Sequence, residues 1–251
     1  MKRLLSIILA AVALSGCQID DGYEYEPTRL GRNLFDSTNI SMNQDSKSLI
    51  AILRFNEYLT AESDEVRERV HNNFFYTSRI FEQSGEWHIV NSDTEVIVFT
   101  GGKSLDEVGA QWSFRSQTPR NSELGTICTL ERLANESDYK GAIFNYVASE
   151  STEYTVKAIN SNDTFGGAHF TDYKLTYTSG GGYYIDYSKT IHYKVLEPTQ
   201  WNSGNSRGLN GGQLKLWCYS DTKQYAYKAE PLDDGRKVRI YYGDYQKEYN
   251  Q

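Results

Sequence analysis

The chain has 251 residues with 33 acidic and 26 basic side chains, which gives a formal net charge of -7. This acidic balance argues against DNA or RNA as a partner and against electrostatic docking on anionic lipid, because both need a basic patch. Tyrosine is abundant, with 20 residues, while proline and methionine are scarce. Tyrosine suits the pleated, half-buried surfaces of β-sheets.

The first sixteen residues have the parts of a secretory signal peptide. Lys2 and Arg3 make a positive start, and residues 4–14 are apolar except for one serine. This run of about eleven residues is too short to cross a hydrocarbon core of about 30 Å as a helix. We predict cleavage before Cys17, which removes Lys2 and Arg3 and takes the formal charge from -7 to -9.

The tetrapeptide Leu14-Ser15-Gly16-Cys17 resembles the lipobox of bacterial lipoproteins. The resemblance implies a lipid on the Cys17 thioether and acylation of the new N-terminus, for example with palmitate, so that the protein is held on a membrane. The acidic cluster at 18–26 resembles the surface-export signal of Bacteroidetes lipoproteins, which implies an outer-membrane protein facing the cell exterior. The alternative is a tether that is merely acidic. Residues 17–43 are predicted to be this flexible tether.

Residues 46–73 show apolar spacings of three and four, which predict one bent helix or two short ones. A break is expected at 60–64, with Ser63 or Thr60 as the N-cap of the second part.

Beyond residue 73 the apolar period changes to two, and turn residues separate the segments, as in an antiparallel sheet. About a dozen strands must close or stack to bury a face, so we predict a mainly β fold, either a barrel or a two-sheet sandwich. Residues 44–251 are expected to form one domain, with a turn at 179–182. The predicted strands are 74–82, 86–91, 94–100, 110–116, 125–133, 140–148, 152–159, 170–178, 182–195, 213–219, 223–229 and 236–242.

Alternation also predicts which side chains share a face. In one segment, Tyr173, Leu175 and Tyr177 are predicted to share a face. In the next segment, Tyr183, Ile185 and Tyr187 show the same alternation and are predicted to share a face with one another. Cys128 and Cys218 both lie in strand-like segments, and outside the inner membrane a disulfide between them is allowed. The alternative, two buried free thiols, stays open because sequence does not give the Cα–Cα distance.

Catalytic signatures are missing from the sequence. The four histidines, His71, His88, His169 and His192, form no metal-binding spacing, and no nucleophile elbow or phosphate loop is present. We therefore name no catalytic residue, metal or cofactor.

One loop has a composition suited to ligand binding. Residues 198–212 carry Trp201, Asn202, Asn205 and Arg207, and an exposed indole beside amides can stack on a sugar. The alternatives are that Trp201 packs back onto the sheet or contacts another protein.

Gly85-Glu86-Trp87 resembles the Gly-x-Trp that opens lipocalin-like barrels, and the resemblance implies a carrier of one apolar ligand. The alternative is that Trp87 is a core aromatic. The favoured function is therefore a surface lipoprotein with a non-catalytic binding or structural role, including glycan binding. The alternatives are a lipocalin-like carrier and an extracellular polymer-degrading hydrolase.

Overall fold

The computed structural model describes residues 26–118, 121–160, 172–203, 208–220, 223–232 and 235–251. The predicted signal peptide and Cys17 lie outside these ranges. The helices are α1 (Arg29–Leu59) and α2 (Asp64–Val70), followed by a π-helical segment His71–Phe75. The strands are β1 (Arg79–Gln83), β2 (Glu86–Val90), β3 (Glu95–Phe99), β4 (Gln111–Thr118), β5 (Asn121–Leu133), β6 (Ala142–Ser149), β7 (Thr152–Asn160), β8 (Tyr173–Asp186), β9 (Lys189–Glu197), β10 (Thr199–Asn202), β11 (Gln213–Ser220), β12 (Lys223–Leu232), β13 (Lys237–Tyr242) and β14 (Tyr245–Asn250).

The strands form one antiparallel sheet in which each strand pairs with its neighbour in sequence, except around β10. β10 pairs with the first half of β8, and β9 pairs with β11. Among the described strands β1 and β14 do not pair with each other, so the sheet is not closed. The prediction of a mainly β, antiparallel fold is confirmed, whereas the finer choice of barrel or sandwich is not.

Helix α1 packs against one face of this sheet, which we call the inner face. Its buried residues recur every three or four positions, the spacing of one helix face: Gly31, Leu34, Phe35, Thr38, Met42, Ser46, Leu49 and Leu53. Its start at Arg29 corrects the flexible tether predicted over 17–43 and the domain start predicted at residue 44. The apolar signal in the first half of α1 is interrupted, because Gly31 and Thr38 are buried alongside Leu34, Phe35 and Met42. The sheet supplies the contacts that stabilise this half.

The predicted break in the helical region is confirmed. α1 ends where Thr60 donates its backbone N–H to the Asn56 carbonyl oxygen. α2 begins at Asp64, where the Ser63 hydroxyl accepts a hydrogen bond of 3.3 Å from the Val66 N–H. Ser63 is therefore the N-cap.

At Gly31, α1 lies so close to the sheet that there is no room for a side chain. A Cβ at this position would overlap the Tyr227 ring and lie 2.7 Å from Ile240 Cγ2. We expect Gly31→Ala to lower the free energy of unfolding by about 1–3 kcal/mol, because overpacking outweighs the ~1 kcal/mol that alanine gains in a helix. Urea denaturation measures the change, with Gln44→Ala on the exposed side of α1 as the control. A stabilised Gly31→Ala protein would contradict this packing.

The tyrosines of the inner face join the sheet to α1 by hydrogen bonds as well as by packing. Tyr154 and Tyr173 donate to the carboxylates of Asp45 and Glu57, at 2.8 and 2.6 Å. Tyr177 shares a hydrogen bond of 2.6 Å with a helix serine. Each phenol thus packs its ring among apolar residues while its hydroxyl reaches a polar group of the helix.

Candidate functional site

The structure corrects the prediction that Trp201 offers an exposed ring. Trp201 lies on β10, is 5% exposed, and donates its indole N–H to Asn43 Oδ1 on α1 at 2.9 Å. Its ring is part of the core, as in the alternative that it packs back onto the sheet. Asn202 follows it with an exposed side chain, while Asn205 and Arg207 lie outside the described residues.

Cys128 on β5 and Cys218 on β11 are both buried, and no disulfide joins them in the structure. This is the arrangement that the sequence left as the alternative to a disulfide. Burial, with a smaller contribution from the charge of Asp45, raises the pKa of Cys128 to about 12. The Cys128 thiol is therefore protonated at neutral pH, which makes it a poor nucleophile.

Trp87 also belongs to the core, since its ring meets Phe55 of α1 edge-on with centroids 6.2 Å apart. The lipocalin resemblance implies a closed barrel, and the described strands do not close.

The described residues border several clefts, of which two are open and large. The first, of ≈ 840 Å³, lies near the end of α1 and is bordered by Tyr58, Phe99 and Glu107. Internal hydrogen bonds occupy part of its wall, because Glu107 accepts from the Ser104 N–H. The second, of ≈ 760 Å³, lies beside Asn39.

No group of three or more His, Cys, Asp or Glu side chains within the described ranges could hold a metal ion. No described helix is long and apolar enough to span a membrane.

The outer face of the sheet, opposite α1, carries the most unusual feature. Tyr183 on β8, His192 on β9 and Trp217 on β11 lie directly opposite one another in the strand register. The Tyr183 and His192 ring centroids are 5.6 Å apart, and His192 and Trp217 are stacked at 5.2 Å with planes 6° apart. We call these three residues the aromatic row.

An irregularity in β8 places Tyr183 on the outer face. Between Tyr177 and Ser179 the register against β7 shifts by one residue, so that side chains beyond it exchange faces. Tyr177 is therefore buried on the inner face, while Tyr183 and Ile185 point outward. The residues of the first triad, Tyr173, Leu175 and Tyr177, are all buried on the inner face, whereas those of the second are exposed. The turn predicted at 179–182 is wrong, because these residues lie in the interior of β8.

Exposed apolar side chains gather around the aromatic row. Of eleven exposed large hydrophobic residues among the described ones, five lie on the three strands that carry the row or in the turn between β8 and β9: Tyr183, Ile185, Tyr187, Leu196 and Tyr219. Tyr183 is 48% exposed, Tyr219 57% and Ile185 72%. Trp217 faces the small Ala226 on β12, which leaves one side of the indole unobstructed by a larger opposite side chain. Ile185 lies two positions along β8 from Tyr183, and the Tyr219 ring centroid lies 5.7 Å from that of His192. Exposed apolar side chains that cluster in this way are typical of a binding surface.

Comparison with known proteins gives one match, at the N-terminus of the chain. Residues 1–18 match the family of prokaryotic membrane lipoprotein lipid attachment sites. The chain is a membrane-anchored lipoprotein. Neither a curated protein nor a solved structure matches it.

Sequence reasoning missed the aromatic row of this lipoprotein, although part of the signal was present. Leu214, Leu216 and Cys218 alternate on β11, so Trp217 had to face the other way. The residues beside Trp217 on the neighbouring strands depend on which strands pair, however. The sequence does not show that β11 pairs with β9, because β10 lies between them in the chain.

Proposed function

We propose that this lipoprotein is a non-catalytic glycan-binding protein of the outer membrane that faces the cell exterior. The aromatic row carries the proposal. Sugar rings have apolar C–H faces and polar rims, and Tyr, His and Trp side chains combine apolar rings with hydrogen-bonding tips. A row that crosses three neighbouring strands suits an extended chain better than a single small molecule.

The anchor supports the location. A lipid on Cys17 holds the domain beside the membrane, and the acidic residues that follow resemble a surface-export signal. A binding face on the outside of the sheet is then accessible to polymers around the cell.

The carrier alternative receives less support from the geometry. A carrier encloses its ligand, and in the part of the chain that the structure describes α1 and five fully buried tyrosines occupy the inner face. Among the described residues, exposed aromatic surface is concentrated on the outer face, where an extended polymer has access.

The test is retardation of the soluble chain 18–251 in gels that contain individual polysaccharides. We expect retardation by at least one polymer, and a loss of at least about tenfold in affinity for Tyr183→Ala and Trp217→Ala, because central aromatic side chains dominate such interfaces. Tyr245→Ala is the matched control, since Tyr245 is 63% exposed on β14, away from the row. Retardation that survives both row substitutions would remove the row from the binding site. No retardation by any polymer would contradict glycan binding.

A further inference from the structure

A second cross-strand row lies beside the aromatic row. Lys194 on β9 is directly opposite Lys215 on β11, which is directly opposite Lys228 on β12. Lys194 and Lys215 are each two positions along their strands from His192 and Trp217, so they share the outer face. We call these three residues the lysine row.

This arrangement is unexpected in an acidic protein. Like charges directly opposite in a sheet are destabilising, and the chain has 33 acidic side chains with which to balance them. Two outer-face arginines, by contrast, have such partners. Arg239 pairs with Glu248 across β13 and β14 at 2.5 Å, and Arg115 pairs with Glu86 at 2.6 Å.

The charges of the lysine row are only partly compensated. Lys228 lies 3.4 Å from Glu230, but within the described part of the chain no carboxylate is in ion-pair distance of Lys194 or Lys215. The Lys215 ammonium lies 5.2 Å from the Trp217 ring centroid. The two rows therefore meet at this contact, and a ligand that covers the indole also approaches the ammonium.

We infer that the ligand of this face is an acidic glycan, whose sugar rings contact the aromatic row while its carboxylate or sulfate groups meet the lysine row. The inference rests on the proposed function. It names an anion because opposed ammonium groups are stabilised when a negative charge lies between them, and flexible lysines can follow the charges of a polymer.

The shape of the positive surface favours a single chain over a membrane. Across the strands, the lysine row is bounded on one side by Gly181 on β8, beyond which the exposed Glu153 on β7 follows. On the other side it is bounded by Tyr241 on β13, which lies directly opposite Lys228. The positive strip therefore spans only about two strand spacings of roughly 4.8 Å each. A broad anionic bilayer would also meet Glu153 and Glu230, whereas one polymer chain is narrow enough to follow the strip.

The test compares polymers that share a backbone but differ in charge. Polygalacturonate is paired with its methyl ester, and chondroitin sulfate with desulfated, carboxyl-esterified chondroitin, using the soluble chain 18–251. We expect at least tenfold tighter binding to one acidic member than to its neutral partner, and weakening by added salt. In Lys194→Gln/Lys215→Gln the preference for the acidic member over its neutral partner should fall to about twofold or less. The matched control is Lys47→Gln/Lys174→Gln, which removes two exposed lysines from elsewhere.

The outcomes separate the two proposals. Equal binding to charged and neutral partners would overturn the acidic-glycan inference and leave glycan binding intact. Preference for the acidic member that survives in Lys194→Gln/Lys215→Gln would also overturn the assignment to the lysine row. Binding to none of the four polymers would overturn the acidic-glycan inference, and binding to vesicles containing phosphatidylglycerol would then assign the lysine row to a membrane contact.

Discussion

Replacing Arg54 by alanine is expected to lower the free energy of unfolding by about 3–5 kcal/mol. Arg54 and Glu57 are both buried, and Arg54 Nη1 lies 2.8 Å from Glu57 Oε2. The guanidinium also lies 4.5 Å from the Phe74 ring centroid and 4.8 Å from that of Tyr173. Without Arg54 the Glu57 charge stays buried, and the Tyr173 hydroxyl at 2.6 Å is a weaker partner than a cation.

The same helical region offers a matched control. Arg67 pairs with Asp64 at 2.9 Å over the same three-residue spacing, but both side chains are exposed. Solvent screens such a pair, so Arg67→Ala should cost less than about 1 kcal/mol. Chemical denaturation at pH 7 compares the two variants. Equal losses for Arg54→Ala and Arg67→Ala would show that burial of the Arg54–Glu57 pair has no energetic consequence.

Asp45 is expected to make the folded protein less stable as the pH rises, whereas a salt-bridged carboxylate makes it more stable. Burial raises the pKa of Asp45 from 3.8 to about 6, although the hydrogen bond from Tyr154 partly opposes the shift. The folded protein therefore holds this proton more tightly than the unfolded chain does. Its free energy of unfolding falls as the pH rises from about 4 to about 6, by up to about 3 kcal/mol, and then levels off.

The variant Asp45→Asn removes this titration. Its amide oxygen can still accept the Tyr154 hydroxyl, and no charge is buried at high pH. We expect Asp45→Asn to be more stable than the wild type by about 2–3 kcal/mol at pH 8 and nearly equal to it at pH 4. The measurement is the difference in unfolding free energy between the two proteins at each pH. A difference that does not change with pH would show that Asp45 titrates at its ordinary value.

Arg54, Glu57 and Asp45 all belong to the polar contact between α1 and the inner face of the sheet. α1 carries polar residues on the side that meets the sheet, and inner-face tyrosines hydrogen-bond to Asp45, Ser46 and Glu57. These contacts lie on the inner face, whereas the proposed glycan site lies on the outer face. Substitutions in the aromatic and lysine rows can therefore change binding while the interior that holds the helix is unchanged.

Some features were determined by the sequence alone because their signals are local. The basic start, the apolar run and the small residues before Cys17 are contiguous, and the match at residues 1–18 confirms a lipid attachment site. The β period and its separating turns are equally local, and so is the hydroxyl of Ser63 three residues before the Val66 N–H that it caps.

Other features were decided only by the tertiary structure. Residues 29–43 become helix because the sheet covers one whole side of them, which includes Gly31 and Thr38 as well as the apolar Leu34, Phe35 and Met42. Trp201 looks like a ligand contact in sequence, but Asn43, far away in the chain, accepts its N–H.

The binding face depends on the tertiary structure most of all. A one-residue register shift in β8 turns Tyr183 outward, and the pairing of β9 with β11 across the β10 excursion joins residues 192 and 217. Alternation along a strand assigns a side chain to one of two faces, but a bulge reverses that assignment and only pairing identifies the neighbour. The aromatic and lysine rows are therefore properties of strand register, which arises from contacts between distant parts of the chain.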